Sequence, residues 1–155
     1  MNVREAINFG LNKLNFEDVR ENQTKVVEAY LINGRDVLMI SPTGSGKSLT
    51  FYIAPFAIDF SKHGERDDIQ TVCLVIFPLV SLMNDQVSSL REKGIKTVVV
   101  GPDSSETENK EASEGKYNLV FTNPEALFGS HRSTILTLKK KIEDVFIDEV
   151  HCVHG

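Results

Sequence analysis

The chain has 155 residues, 41% of them hydrophobic, and a net charge of −5. That is the size of one ordinary domain with enough apolar side chains for a core, and no apolar run approaches the length that crosses a bilayer. The negative balance excludes a chain that binds nucleic acid through bulk positive charge, so any such contact must be local. The start, "MNVREAINFG", has a charge pattern and a helical period instead of a secretory apolar core. With Cys73 and Cys152 as lone thiols, it predicts a soluble intracellular chain whose cysteines stay reduced, and makes the "NQT" at Asn22 an accident.

Apolar residues recur at helical spacing from Arg4 to Leu14 and again from Gln23 to Leu31, before "NGRD" breaks the pattern. Residues 1–34 therefore read as an N-terminal helical part. Five short apolar runs follow: "DVLMI" from Asp36, "TVCLVIF" from Thr71, "KTVVV" from Lys96, "YNLVF" from Tyr117 and "DVFI" from Asp144. Nearly continuous Val, Ile, Leu and Phe without polar alternation is what strands buried on both faces require, and the stretches between are long enough for crossover helices. The predicted architecture is an α/β layer fold with a mostly parallel central sheet. The segment "GPDSSETENKEASEG", Gly101 to Gly115, reads as a solvated loop or a short exposed helix.

The first run feeds "SPTGSGKS", Ser41 to Ser48, and a helix-compatible segment comes next. Strand, glycine-rich loop, then helix is the context of a phosphate loop. Gly44 and Gly46 permit the tight turn, with Pro42, Thr43 and Ser45 completing the loop. Its backbone N–H groups face phosphate oxygens, Lys47 adds a mobile point charge, and the Ser48 hydroxyl is offered to Mg²⁺. Ser41 stands where the strict pattern has glycine.

At the end of the last run, "DVFIDEVH" sets Asp148 and Glu149 at the carboxyl end of a buried strand, where a parallel sheet gathers its ligands. Two acids there are costly unless a cation or a reaction needs them. Asp148 fits Mg²⁺ and Glu149 fits the water that attacks a γ-phosphate, with His151 three residues after Asp148. The expected ligand is ATP with Mg²⁺. A guanine-reading Asn-Lys-x-Asp is missing, since "NKLN" and "NKEA" both lack the aspartate, and no "LSGGQ"-like transporter signature occurs.

In order along the chain, "FEDVRENQ", "GRDVLMISPTGSGKSLTFYIAP", "VIFPLVSLMNDQV", "TNPEAL" and "IDEVHCV" resemble the first RecA-like lobe of superfamily 2 helicases, and within them the RecQ family of DNA helicases. The resemblance runs from about Phe16 to Val153. It implies a three-layer RecA-like P-loop NTPase fold and an ATP-binding lobe of an enzyme that unwinds DNA in the 3′-to-5′ direction. Phe16, Arg20 and Gln23 match the adenine-recognition segment, a glutamine amide offering both donor and acceptor, although Gln23 also reads as a solvent-facing helix residue. Ser81, Asn84, Thr122 and Asn123 match positions that meet nucleic-acid phosphates, and each fits a helix cap equally well. Asp-Glu-Val-His with "PLVSLMNDQV" separates the chain from DEAD-box RNA helicases, and Val150 stands where alanine is usual.

On this reading residues 1–155 form a single helicase ATP-binding domain that stops soon after the acidic motif. Its partners are ATP, single-stranded or partly duplex DNA and a second RecA-like lobe, with no membrane, and DNA work implies the nucleus. Two other readings stay open: a truncated or regulatory nucleotide-binding module without helicase activity, and a different P-loop NTPase.

Overall fold

The computed structural model describes residues 3–14, 39–41, 52–77 and 80–148. The helix expected from Gln23 to Leu31 lies outside them. In chain order come α1 (Val3–Leu14), β1 (Met39–Ser41), α2 (Ala54–His63), β2 (Val72–Ile76), α3 (Val80–Glu92) and β3 (Thr97–Val100). Then follow α4 (Glu106–Ser113), β4 (Leu119–Thr122), α5 (Pro124–Phe128), α6 (Arg132–Leu138), a 3₁₀ turn at Lys139–Lys141, and β5 (Ile142–Asp148). Each of the five runs read as strands contains a strand among the described residues. They form one sheet in the order β1-β5-β2-β4-β3, and every pairing is parallel.

That order dictates the layers. The chain steps from β1 past β5's place to β2, then past β4's place to β3, and returns through β4 to β5. Right-handed crossovers put helices of the outward journey on one face and those of the return on the other. The core divides accordingly. Cys73, Val75, Phe77, Leu119, Phe121 and Phe146 pack with side chains of α1, α2 and α3. Val72, Leu74, Ile76, Val98, Val100 and Val120 pack with Ala112 of α4 and with Ile135 and Leu138 of α6. Successive strand residues point to opposite faces, so runs without polar alternation are the signature of a sheet covered on both sides.

The first face is two helices deep. In α2 every residue from Ala54 to Asp59 is buried, because the sheet covers one side and α1 the other. The approach of α1 relies on Gly10, where an added Cβ would stand 2.7 Å from the Cβ of Ile53. Ile7 and Leu11, one turn apart, fill the seam with Ile53 and Phe56. The Phe9 and Phe60 rings meet at 5.2 Å, and the Lys13 ammonium lies 5.3 Å over the Phe9 ring.

Buried Asp59 is satisfied at the amino end of the sheet. Arg66 donates to it from Nε at 2.8 Å and from a terminal nitrogen at 2.7 Å, and the Thr71 hydroxyl donates at 3.0 Å. This fork ties the end of α2 to the start of β2. The polar segment after β3 is a helix. Ser105 accepts from the Glu108 N–H while the Glu108 carboxylate accepts from the Ser105 N–H, both at 3.0 Å, and Ala112 alone of that helix is buried.

Candidate functional site

The carboxyl rim of the sheet is where the candidate chemistry collects. In the parallel register Ser41, the last residue of β1, pairs with Asp148, the last residue of β5. The two main chains are neighbours at about 4.8 Å, the ordinary spacing of paired strands. Ser41 opens the sequence "SPTGSGKS" and Asp148 opens "DEVH", so the strands that lead into these two sequences end side by side. The described ends of β1 and β5 are therefore neighbours on the carboxyl rim, where a parallel sheet gathers its ligands. Of the residues expected here, Phe16, Arg20, Gln23, Pro42, Thr43, Gly44, Ser45, Gly46, Lys47, Ser48, Glu149 and His151 lie outside the described residues. Asp148 and Ser81 are placed by their positions in β5 and α3.

The second part of the rim lies between β2 and β4. They are neighbours, yet β2 leads to α3 on one face and β4 to α5 and α6 on the other. A crevice opens where adjacent connections diverge in this way. Its walls begin with "PLVSLMNDQV" after β2 and "TNPEAL" after β4. Phe77 N–H donates to the Thr122 carbonyl at 2.8 Å and carries the ladder to the rim.

Thr122 and Asn123 are spent on the fold itself. Thr122 is 0% exposed, and its hydroxyl donates to the Val100 carbonyl at 2.8 Å, bolting β4 to β3. Asn123 is 2% exposed and its Oδ1 accepts from the Ala126 N–H at 2.8 Å, so of the two roles open to it the side chain fills the helix cap. Asn84 is different: it stands exposed on α3 and lines a groove with Ser88, Arg91, Ser104 and Glu108.

Among the described residues two carboxyls are shifted, Asp59 at the amino end of the sheet and Glu108 in the groove that Asn84 lines. Burial would raise Asp59, but hydrogen bonds from Arg66 and Thr71 and the guanidinium charge outweigh it, holding the carboxyl below its usual range. Glu108 is lowered by the Ser105 N–H, with burial opposing and Arg91 adding a 3.3 Å contact. Both serve architecture. One pair at the rim gives no isolated signal in the sequence: the Tyr52 hydroxyl donates to the Gln86 side-chain carbonyl, across 34 positions.

A parallel sheet with helices on both faces, a phosphate-loop sequence leaving its first strand and an acidic pair closing the adjacent one define a RecA-like P-loop lobe. The family model described as DEAD/DEAH box helicase matches residues 20–155, and the chain belongs to that family. Among curated relatives, the ATP-dependent helicase SGS1 of Saccharomyces cerevisiae is 32% identical over 142 residues, which is 86% of this chain and 9% of the relative. The ATP-dependent DNA helicase RecQ of Haemophilus influenzae is 31% identical over 143 residues, 89% of this chain and 21% of the relative. RecQ-type helicases thus match most of the chain, which spans about a tenth to a fifth of their length. A crystal structure of the DUF1998 helicase MrfA bound to DNA and AMPPNP shares the fold, with a TM-score of 0.67 at 24% identity, over 94% of this chain and 20% of that one. Among the described residues no helix is long and apolar enough to cross a membrane.

Proposed function

We propose that this chain is the ATP-binding first lobe of an ATP-dependent DNA helicase, and that 3′-to-5′ unwinding belongs to the complete enzyme, in which a second lobe closes over the nucleotide. The observation that supports the reading is the pairing of Ser41 with Asp148, the first residues of "SPTGSGKS" and "DEVH". In this arrangement the loop amides from Thr43 to Lys47 hold phosphate oxygens, and the Lys47 ammonium neutralises their charge. Phe16, Arg20 and Gln23 receive the adenine. Ser48 and Asp148 hold Mg²⁺, which supplies charge neutralisation at the phosphates. Glu149 orients and deprotonates the attacking water, and His151 follows it on the same segment.

DNA lies along the crevice between the β2 and β4 connections. Ser81 and Asn84 contact its backbone directly, while Thr122 and Asn123, engaged inside the fold, hold the second wall in place. Phosphate contacts of this sort are independent of sequence and give an acidic lobe a local grip. In a nucleated cell such work places the protein in the nucleus, in repair or recombination. Hydrolysis by the lone lobe is slow, because a transition-state arginine from a second lobe is typically worth on the order of 10³ or more in turnover.

The test is titration of a fluorescent ATP analogue with Mg²⁺ into the wild-type chain and Lys47→Ala. Loss of one charge-assisted phosphate contact predicts weakening by about tenfold or more. Equal affinity of the two proteins would overturn the reading, as would strand separation by the purified lone chain for the division of labour between lobes.

A further inference from the structure

Tyr52 stands four residues beyond Ser48, just before the start of α2, and is 7% exposed. Its hydroxyl donates to the Oε1 of Gln86, which lies half-buried in α3 on the same helix as Ser81 and Asn84. Its ring packs on Phe121 at 6.0 Å, and Phe121 packs on Phe77 at 6.2 Å. Phe77 immediately precedes "PLVSLMNDQV" and Phe121 immediately precedes "TNPEAL". One side chain therefore stands just before α2 and touches α3 through Gln86 and the ends of β4 and β2 through Phe121 and, beyond it, Phe77.

A tyrosine has only two side-chain torsions, so anchored at ring and hydroxyl it transmits displacement instead of absorbing it. The hydrogen bond favours one placement of the segment before α2 relative to α3. We infer that Tyr52 and Gln86 are positioning residues that couple nucleotide occupancy of the phosphate loop to nucleic-acid occupancy of α3. The inference rests on the function proposed above and adds the element through which the two sites communicate. Coupling of this kind is reciprocal: whatever factor DNA applies to nucleotide affinity, nucleotide applies to DNA affinity.

The experiment measures binding of a fluorescent ATP analogue with Mg²⁺, with and without a saturating single-stranded oligothymidine, on the whole chain. Wild type is expected to show a change of about fivefold, the low end of the usual range for such couplings. Tyr52→Phe keeps the ring on Phe121 and loses only the hydroxyl. It should bind each ligand alone within about twofold of wild type while the coupling factor falls toward one, and Gln86→Met should do the same. Gln86→Glu retains the acceptor and should restore most of the coupling. Full coupling in both Tyr52→Phe and Gln86→Met would overturn the inference, leaving a satisfied buried hydroxyl and nothing more. So would a wild-type chain that binds the two ligands independently, and that result leaves the nucleotide site standing. Failure of wild type to bind nucleotide, with Lys47→Ala indistinguishable from it, overturns the function proposal and this inference together.

Discussion

The two faces of the sheet are built differently. The face under α1, α2 and α3 is aromatic, with Tyr52, Phe56, Phe77, Phe121 and Phe146 in its core, and it stands two helices deep where α1 covers α2. The face under α4, α5 and α6 has a buried core of Val, Leu, Ile and Ala, covered by short helices, one of them held at its start by the Ser105–Glu108 box. The difference follows the rim. The connections leaving β1 and β2 lead to α2 and α3, and both helices pack on the aromatic face. Large rigid side chains fix the elements that must not drift, whereas the opposite face needs only a cover.

The largest test of that contrast is Phe121→Ala against Val120→Ala, adjacent residues of β4 that serve opposite faces. Phe121→Ala should cost about 3–5 kcal/mol in chemical denaturation, and Val120→Ala roughly half that. Equal losses would erase the distinction between the faces. Next comes Arg66→Met, which removes both guanidinium hydrogen bonds from buried Asp59 and leaves it the Thr71 hydroxyl, so the denaturation midpoint should fall.

The sign of the acid dependence follows from Asp59. Its folded-state pKa lies below the usual value, so the stabilisation is fully present above the unfolded pKa of about 3.9 and is lost as pH falls through the lower folded value. Asp59→Asn should flatten the acid limb of a denaturation profile, and an unchanged limb would remove Asp59 from the account.

Gly10→Ala sharpens the role of the double layer. On an open helix the change gains about 1 kcal/mol, but here the methyl meets Ile53 at 2.7 Å, and overpacking of about 1–3 kcal/mol should turn the sign to a net loss. A stabilised variant would show that α1 sits loosely. Smallest is Ser105→Ala on the cover side, about 1 kcal/mol in thermal unfolding from the lost cap.

Much of this was legible in the sequence because buried parallel strands announce themselves as unbroken apolar runs. All five did, and their order in the chain already called for crossovers. The faces were not legible for the same reason: a run such as "VCLVI" has no polar residue to mark inside from outside, and only the pairing order sends Cys73 and Val75 one way and Leu74 the other. Strand β5 begins at Ile142, two residues before the expected Asp144, since Val72 of β2 pairs with Ile142 across a register shift. The helix at Glu106–Ser113 carried a readable signal, serine followed three residues later by glutamate, hidden within a polar composition that suits a loop equally well.

The rim divides in the same manner. That phosphate-loop and acidic sequences should meet was predictable from motif and strand, and the pairing of Ser41 with Asp148 puts their flanks together. That the Thr122 hydroxyl would turn to β3 was not, whereas the helix cap that Asn123 fills was one of the two roles open to it. A hydroxyl or amide at a strand end looks the same in sequence whether it faces a ligand or a neighbouring carbonyl, and the partners Val100 and Ala126 are set by tertiary placement and local cap geometry. The Tyr52–Gln86 contact joins the segment before α2 to α3 across 34 positions, which no local pattern records.

The central claim is that the ends of β1 and β5 form one nucleotide·Mg²⁺ site. The most direct measurement is affinity for a fluorescent ATP analogue in Mg²⁺ and in EDTA, for wild type, Asp148→Asn and the distant Asp59→Asn. The account predicts that Mg²⁺ tightens binding to wild type and to Asp59→Asn, and that Asp148→Asn loses most of that gain while still binding the metal-free nucleotide. A full Mg²⁺ response in Asp148→Asn would contradict it.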